Sequence, residues 1–282
     1  TIMSAGNEML RASRDALKNT GAYSRIARLF DEGTFNEIDS YAKSGDGFAE
    51  AAAGFGTIEG CPAYVFAQNP DICGGAMSKA QASKIKKVYE MAVKTGAPVI
   101  GIYDSIGGRL DEGAGMLAAY GEVLLHSNNL SGVVPQIALV LGPCIGVSAM
   151  IAANADLVVM SDKGELTLET SGSGASPEDA VKAGVCHVAA QNEEEAISTV
   201  RALITALPSN NLSGAPITDM FGENTAAALS CSSSVADVIA AVADDASFIE
   251  LQKGFGENTV AGLAQVSGAT VGLVGYEKEI DA

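Results

Sequence analysis

The chain has 282 residues, 48% of them hydrophobic and 18% charged, with a formal net charge of −17. That length and apolar fraction can bury a sizeable core in one or two domains and exclude a disordered chain. The acidic balance argues against nucleic acid as a partner; no apolar run approaches the ~20 residues of a membrane span, and no signal-peptide pattern opens the chain, so a cytoplasmic enzyme is expected.

Residues 1–31 read as helix, with Leu10, Leu17, Ile26 and Leu29 at helical spacing. Residues 54–69, GFGTIEGCPAYVFAQN, read as two strands about a turn at Gly60. A helix over 78–96 follows, with Ser78 as N-cap, an apolar stripe of Ile85, Val88, Met91 and Ala92, and Gly96 as its stop. A buried strand at 97–104, a helix at 114–132, a second buried strand at 134–142, a short helix from Val147 and a strand at 156–161 come next. Strands alternating with helices predict βαβ units and a mainly parallel sheet. Helices are expected at 176–184 and 192–207, then a polar linker.

A repeat lies beyond that linker. SFIEL at 247–251 echoes TFNEI at 34–38, and AGLAQVSGATVGLVG at 261–275 echoes AGFGTIEGCPAYVFA at 53–67. The expected organisation is a first domain over 1–210, a linker over 211–234, and the incomplete start of a second, homologous domain over 235–282. Apolar strands at 259–275 would then need a partner, so an obligate oligomer is expected.

The chemistry concentrates at two strand-to-loop junctions, Asp104-Ser105-Ile106-Gly107-Gly108-Arg109 and Gly142-Pro143-Cys144-Ile145-Gly146-Val147-Ser148. A glycine turn at the carboxyl end of a parallel strand bares backbone N–H groups, and a helix starting there adds its positive end. Two such turns facing one point suit an oxyanion, as in acyl transfer or enolate formation. Side-chain catalysts are scarce. His126 and His187 read as structural, Asp111 and Glu112 as solvated loop charges, and neither a phosphate-binding nor a dinucleotide-binding glycine motif is present. The five Cys, at 61, 73, 144, 186 and 231, form no CxxC pair, so they read as free thiols outside any zinc cage, with Cys73 and Cys144 as small buried hydrophobes.

The stretches NPDICGGAMSKAQASKIKKVYEMAVKTGAPVIGIYDSIGGRLDEG and SGVVPQIALVLGPCIGVSAMIAANADLVVM, with LPSNN at 207–211, resemble the carboxyltransferase component of biotin-dependent acyl-CoA carboxylases and decarboxylases. The resemblance covers roughly residues 20–282. It implies an α/β fold of crotonase/Clp-like ββα spiral domains and transfer of a carboxyl group between carboxybiotin and the α-carbon of a short acyl-CoA. It implies backbone donors at Gly107, Gly108, Gly146 and Val147, and acyl-CoA contacts from Ile106, Arg109, Ile145, Lys79 and Lys84, with Lys86 and Lys87 on the same helix. Biotin would ride on a separate carrier protein, no metal would be bound, and further carboxyltransferase chains would complete the second domain in a homo- or hetero-oligomer. Ile106 and Val147 stand where the family has glycine, which bears on the acyl group accepted. Other readings are a crotonase-type hydratase or isomerase, which needs a Glu base near the second turn, a Clp-like serine peptidase, which needs a base near Ser148, and a non-catalytic assembly subunit.

Overall fold

A computed structural model describes residues 2–169, 174–218, 234–256 and 258–276. Helices α1 (Ile2–Ala16) and α2 (Gly21–Leu29) open the chain. The continuous helix predicted over 1–31 breaks between them, because Thr20 is extended (ψ 163°) and its hydroxyl caps Leu17 O at 2.7 Å. Strand β1 (Asn36–Glu37) and a small hairpin, β2 (Lys43–Ser44) and β3 (Gly47–Phe48), lead into the long hairpin β4 (Ala51–Ile58) and β5 (Cys61–Gln68). Helix α3 (Lys79–Thr95) starts where Ser78 accepts from Gln81 N–H and stops at Gly96, which is left-handed at φ 68°. Strand β6 (Val99–Ser105), α4 (Ala114–Leu130), β7 (Gln136–Ile145), α5 (Val147–Ala153) and β8 (Leu157–Met160) follow the predicted alternation. Then come β9 (Glu165–Thr167), α6 (Pro177–Lys182), β10 (Val188–Ala189), α7 (Glu193–Ala206), α8 (Val235–Val242), β11 (Ile249–Leu251), β12 (Thr259–Val266) and β13 (Ala269–Tyr276).

The main sheet runs β1-β4-β5-β6-β7-β8-β10, with β9 added to β7. Pairing is antiparallel through β1, β4 and β5 and parallel from β5 onward. Helices cover both faces. Ile85, Val88, Tyr120 and Val123 of α3 and α4 pack on Phe66, Tyr103 and Val140. Ile26 and Leu29 of α2, with Ile197, Val200 and Leu203 of α7, pack on Val65, Ile100, Ile102 and Leu139. Strands covered on both faces carry continuous apolar runs, which is why β6 and β7 could be read directly from sequence. Each fully buried Ile, Leu or Phe contributes about 1.5–3 kcal/mol over its exposed form.

A second sheet has the order β11-β12-β13. Part of the expected linker lies against it. Ile217 bridges Ala269, Thr218 N–H donates to Gly268 O at 2.9 Å, and Thr270 N–H donates to Pro216 O at 3.0 Å. Residues 219–233, the rest of that segment, lie outside the described residues, as does Cys231. Among the described residues no helix is long and apolar enough to cross a membrane.

Candidate active site

Strands β6 and β7 are parallel neighbours, so the turns that follow them leave the same edge side by side. Ser105 pairs with Cys144, after an irregularity in which β7 carries extra residues relative to Tyr103↔Val140. Gly142 lies in that irregularity because a Cβ there would sit 2.3 Å from the Asp104 carboxylate.

The first turn is laced to the loop that precedes α3. Ile106 N–H donates to Gly74 O at 3.1 Å, Met77 N–H to Gly107 O at 2.8 Å, and Arg109 N–H to Met77 O at 2.8 Å. Gly107, at φ 121°, occupies a region that a side chain disfavours, and its N–H reaches the Ser105 hydroxyl at 3.2 Å. Gly108 N–H is left without an acceptor among the described residues. Gly108 has no room for a side chain, since a Cβ would meet Met116 Sδ at 1.9 Å and Tyr120 Cε2 at 3.1 Å.

The second turn assigns its donors differently from the expectation. Gly146 is left-handed at φ 68°, but its N–H donates to Thr167 O at 2.9 Å, because β9 folds back alongside the end of β7. Gly146 is therefore not a free donor. Val147 and Ser148, the first residues of α5, have the uncommitted N–H groups that open any helix. Ile145 pairs with Thr167 in the ladder and is half-buried. The N–H groups left without an acceptor among the described residues are thus Gly108 on one turn and Val147 and Ser148 on the next.

Helix α4 spans the two turns. It covers Gly108 with Met116 and Tyr120, and the Tyr120 hydroxyl lies 3.3 Å from Ser148 Oγ on α5. Burial raises the Tyr120 phenol above its ordinary value, against the opposing pull of the Ser148 hydroxyl. Ser148 is fully buried and its partner is a neutral phenol, and among the described residues no base lies beside it. His126 pairs with Glu122 O and Glu90, and His187 accepts from Val158 N–H; desolvation lowers the His187 pKa. A serine peptidase would find no base here among the described residues. Of the acids the hydratase reading would use, Glu165 is exposed on β9, and Asp156 accepts from Gln136 N–H.

The side chains expected to meet CoA divide sharply. Lys79 is exposed, and its stem lies against Gly115 at the start of α4. Lys84 is buried at 4% exposure, donates to Ala51 O at 2.8 Å and lies 3.6 Å from Glu37. Desolvation lowers its pKa, and it cannot reach a phosphate. Its role is structural, which corrects the sequence expectation. Arg109 is also committed. Its guanidinium meets Glu50 at 2.8 Å and grips Asp111 at 2.6 and 2.8 Å, and these two carboxylates raise its pKa. Asp111 is therefore an ion-pair partner and not a free loop charge. Glu112 caps α3 by accepting Lys79 N–H.

Apolar surface rims the turns, with Ile106, Leu110 and Leu117 all more than 60% exposed. Beside α5 lies an open hollow of about 450 Å³ lined by Ala149, Met150, Leu166, Leu168 and Val185. A larger hollow of about 590 Å³, between α1 and the α2–β1 loop, is remote from the turns. Cys144 is buried, and desolvation pushes its thiol well up, whereas Cys73 is exposed, contrary to expectation, and lies 3.6 Å from Arg109. Cys61, Cys73, Cys144 and Cys186 are all free.

Sequence reasoning missed Glu50, Gln68 and Gln81, which are wholly buried beneath the first turn. The available signal was an acid immediately before a strand and, at Gln68, a glutamine ending an apolar run, which demand partners once buried.

The carboxyl transferase domain model matches residues 18–282. Methylmalonyl-CoA decarboxylase subunit alpha of Veillonella parvula is 33% identical, over 100% of this chain and 62% of its own length. Propionyl-CoA carboxylase beta chain of Saccharopolyspora erythraea is 33% identical, over 96% of this chain and 57% of its own. The chain therefore spans about six-tenths of the length of these relatives. The transcarboxylase 12S structure with hydrolysed methylmalonyl-coenzyme A bound overlays with a TM-score of 0.88 at 26% identity, covering 97% of this chain and 62% of that one. The shared architecture is the crotonase-like fold.

Proposed function

This chain belongs to the carboxyl transferase domain family, and from that premise we propose that it is the carboxyltransferase part of a biotin-dependent acyl-CoA carboxylase or decarboxylase. The observation that carries the reading is the pair of uncommitted N–H groups, Gly108 and Val147, at neighbouring strand ends inside an apolar rim. Such donors stabilise a thioester oxygen as it gains charge, and they do so without a titrating side chain. The relatives' names favour propionyl-CoA or methylmalonyl-CoA as the substrate class, and the hollow beside α5 offers apolar surface for a short acyl chain or pantetheine arm.

In the carboxylation direction the α-C–H bond breaks and the thioester oxygen takes the charge, held by Gly108 and Val147. The new C–C bond to the carboxyl group forms as the N–C bond to biotin breaks, and the α-proton ends on the biotin nitrogen. Carboxybiotin enters as a second substrate on its own carrier protein, and further carboxyltransferase surface completes the site in an oligomer. Ile106, exposed at the rim with its Cδ1 against Gly74, narrows the mouth and favours small acyl groups.

The test is Val147→Pro. Val147 is the first residue of α5, where proline is tolerated because that N–H has no helical partner. The substitution removes one donor and leaves the helix. The expected loss in carboxyl transfer by the reconstituted complex is roughly 10²–10³-fold. Val147→Ala, which keeps the N–H, should retain most activity. Equal loss in both variants refutes a backbone donor at this position.

A further inference from the structure

We infer that Glu50 is a positioning residue for the donor turn: it grips Arg109, and through Arg109 the backbone that presents Gly108 N–H. The inference rests on the carboxyltransferase reading. Glu50 is fully buried just before β4. One carboxylate oxygen takes Arg109 at 2.8 Å, and the other takes the Ser78 hydroxyl at the start of α3. Its backbone carbonyl takes Asn69 N–H at 2.8 Å and the Gln81 amide at 3.2 Å. The same Gln81 amide reaches Gly75 O at 3.1 Å, and Gln81 Oε1 accepts from Gln68 at 3.1 Å. Gln68 in turn accepts Asp104 N–H at 3.2 Å. Four side chains at 0% exposure (Glu50, Gln68, Ser78 and Gln81) thus tie together the start of α3, the loop at 73–77 and the end of β6.

Stability alone does not call for this arrangement. Apolar residues of similar volume often replace a buried ion pair at no loss of stability, whereas a satisfied polar network fixes one geometry. The network converges on the one segment where geometry matters most. Arg109 N–H is bonded to Met77 O, so anchoring its side chain to Glu50 fixes both ends of the residue that follows Gly108. Glu50 on its inner side takes Nη1, Asp111 on its outer side takes Nε and Nη2, and the Ser44 hydroxyl lies 3.3 Å from Nη1. Arg109 is therefore a strut, and a CoA phosphate at this guanidinium would compete with two carboxylates already bound to it.

Four variants in the reconstituted complex test this: Glu50→Gln, Arg109→Met, Arg109→Lys and the double variant Glu50→Gln with Arg109→Met. Displacing a catalytic group by about 1 Å can cost about 10²-fold, so kcat should fall by about 10–100-fold in Glu50→Gln and Arg109→Met. The KM for acyl-CoA should stay within about threefold, because uniform binding is untouched. Arg109→Lys should recover part of the loss, and the double variant should be no slower than Arg109→Met, because both remove the same strut. Amide hydrogen exchange over residues 105–113 should rise in Glu50→Gln. If Glu50→Gln does not fold, Arg109→Met, altered at the half-exposed end, carries the kinetic test. A large rise in KM at constant kcat in the Arg109 variants would make Arg109 a CoA ligand and overturn the inference. So would unchanged kcat and unchanged exchange in Glu50→Gln. Exchange needs no turnover: if the wild-type complex transfers no carboxyl group to any acyl-CoA, the function proposal fails, and exchange alone still decides whether Glu50 holds the turn.

Discussion

The hairpin of the first sheet and the hairpin of the second are built alike and buried differently. Asn36 faces Phe55 and Glu37 faces Gly54; in the second copy Ile249 faces Leu263 and Glu250 faces Gly262. All eight pairs of β4 and β5, from Ala51↔Gln68 to Ile58↔Cys61, have counterparts from Thr259↔Tyr276 to Val266↔Ala269. The turn clamp recurs as well. Asp31 accepts Glu59 N–H at 2.9 Å and Gly60 N–H at 3.0 Å, and Asp244 accepts Ser267 N–H at 2.9 Å and Gly268 N–H at 2.7 Å. Yet Phe66 on β5 is 1% exposed, while Val274, at the matching place on β13, is 77% exposed. The first copy has β6 against its outer edge; no described strand lies against that edge of β13. Local sequence therefore specifies strand, turn and register, and neighbours supply the burial.

The largest expected effect comes from the two close-approach glycines. A Cβ on Gly54 would lie 2.2 Å from Asn36 O, and one on Gly262 would lie 2.3 Å from Ile249 O. Overpacking costs typically 1–3 kcal/mol when the surroundings cannot yield. Gly54→Ala, inside a sheet covered on both faces, should cost about 3 kcal/mol in urea unfolding, and Gly262→Ala, in the open sheet, about 1 kcal/mol. Equal losses would mean that the local clash alone decides and that burial does not.

The turn clamps give the next effect. Asp244 is 6% exposed, so Asp244→Ala strands the buried Gly268 N–H and the part-buried Ser267 N–H and should cost about 1–3 kcal/mol. Water can replace the carboxylate of Asp31 at its more open turn, so Asp31→Ala should shift the urea midpoint less. The reverse order would break the proposed link between clamp strength and burial.

Acid sharpens the same contrast. Asp31 is held down to about 2, from the usual 3.8, first by the N–H groups of Gly60 and Glu59 and then by Thr57 and Arg201. A depressed carboxyl stabilises the fold fully above its unfolded value and loses that contribution as pH falls through its folded one. The first clamp should hold at pH 4 and weaken toward pH 2. A proton titration of the Asp31 carboxyl by NMR checks the window; a midpoint near 4 would mean the clamp does not form in solution.

Thiol labelling has the smallest effect on the protein. Cys61, at the first hairpin's turn, is half-buried and Cys73 exposed, while Cys144 and Cys186 are buried, with Cys186 pushed up to about 11 by desolvation. Peptide mapping after brief alkylation near neutral pH should find Cys73 modified first and Cys144 and Cys186 untouched. Rapid labelling of Cys144 would place the strand end beneath the second turn in solvent.

The two glycine turns were legible in sequence as glycines after apolar runs. Which amides stay free was not. Gly146 loses its N–H to Thr167, and the three-residue β9 that brings Thr167 there has too little alternation to read. Lys84 looked like a helix-surface cation until α3 turned it inward onto Ala51 O and Glu37. The serine start and glycine stop of α3 were visible because each cap is a contact within a few residues.

The sequence by itself determined the strands and helices of the parallel sheet, the two glycine turns, and the repeat of the hairpin with its register. These depend on side-chain period and backbone conformation, which a short run of residues encodes. Tertiary structure alone decided that the Gly146 N–H is taken while those of Gly108 and Val147 have no acceptor among the described residues, that Arg109 is engaged by Glu50 from 59 residues away, and that one hairpin is buried while its copy is not. Hydrogen-bond occupancy and desolvation depend on which distant residues arrive at a site, and no local pattern carries that information.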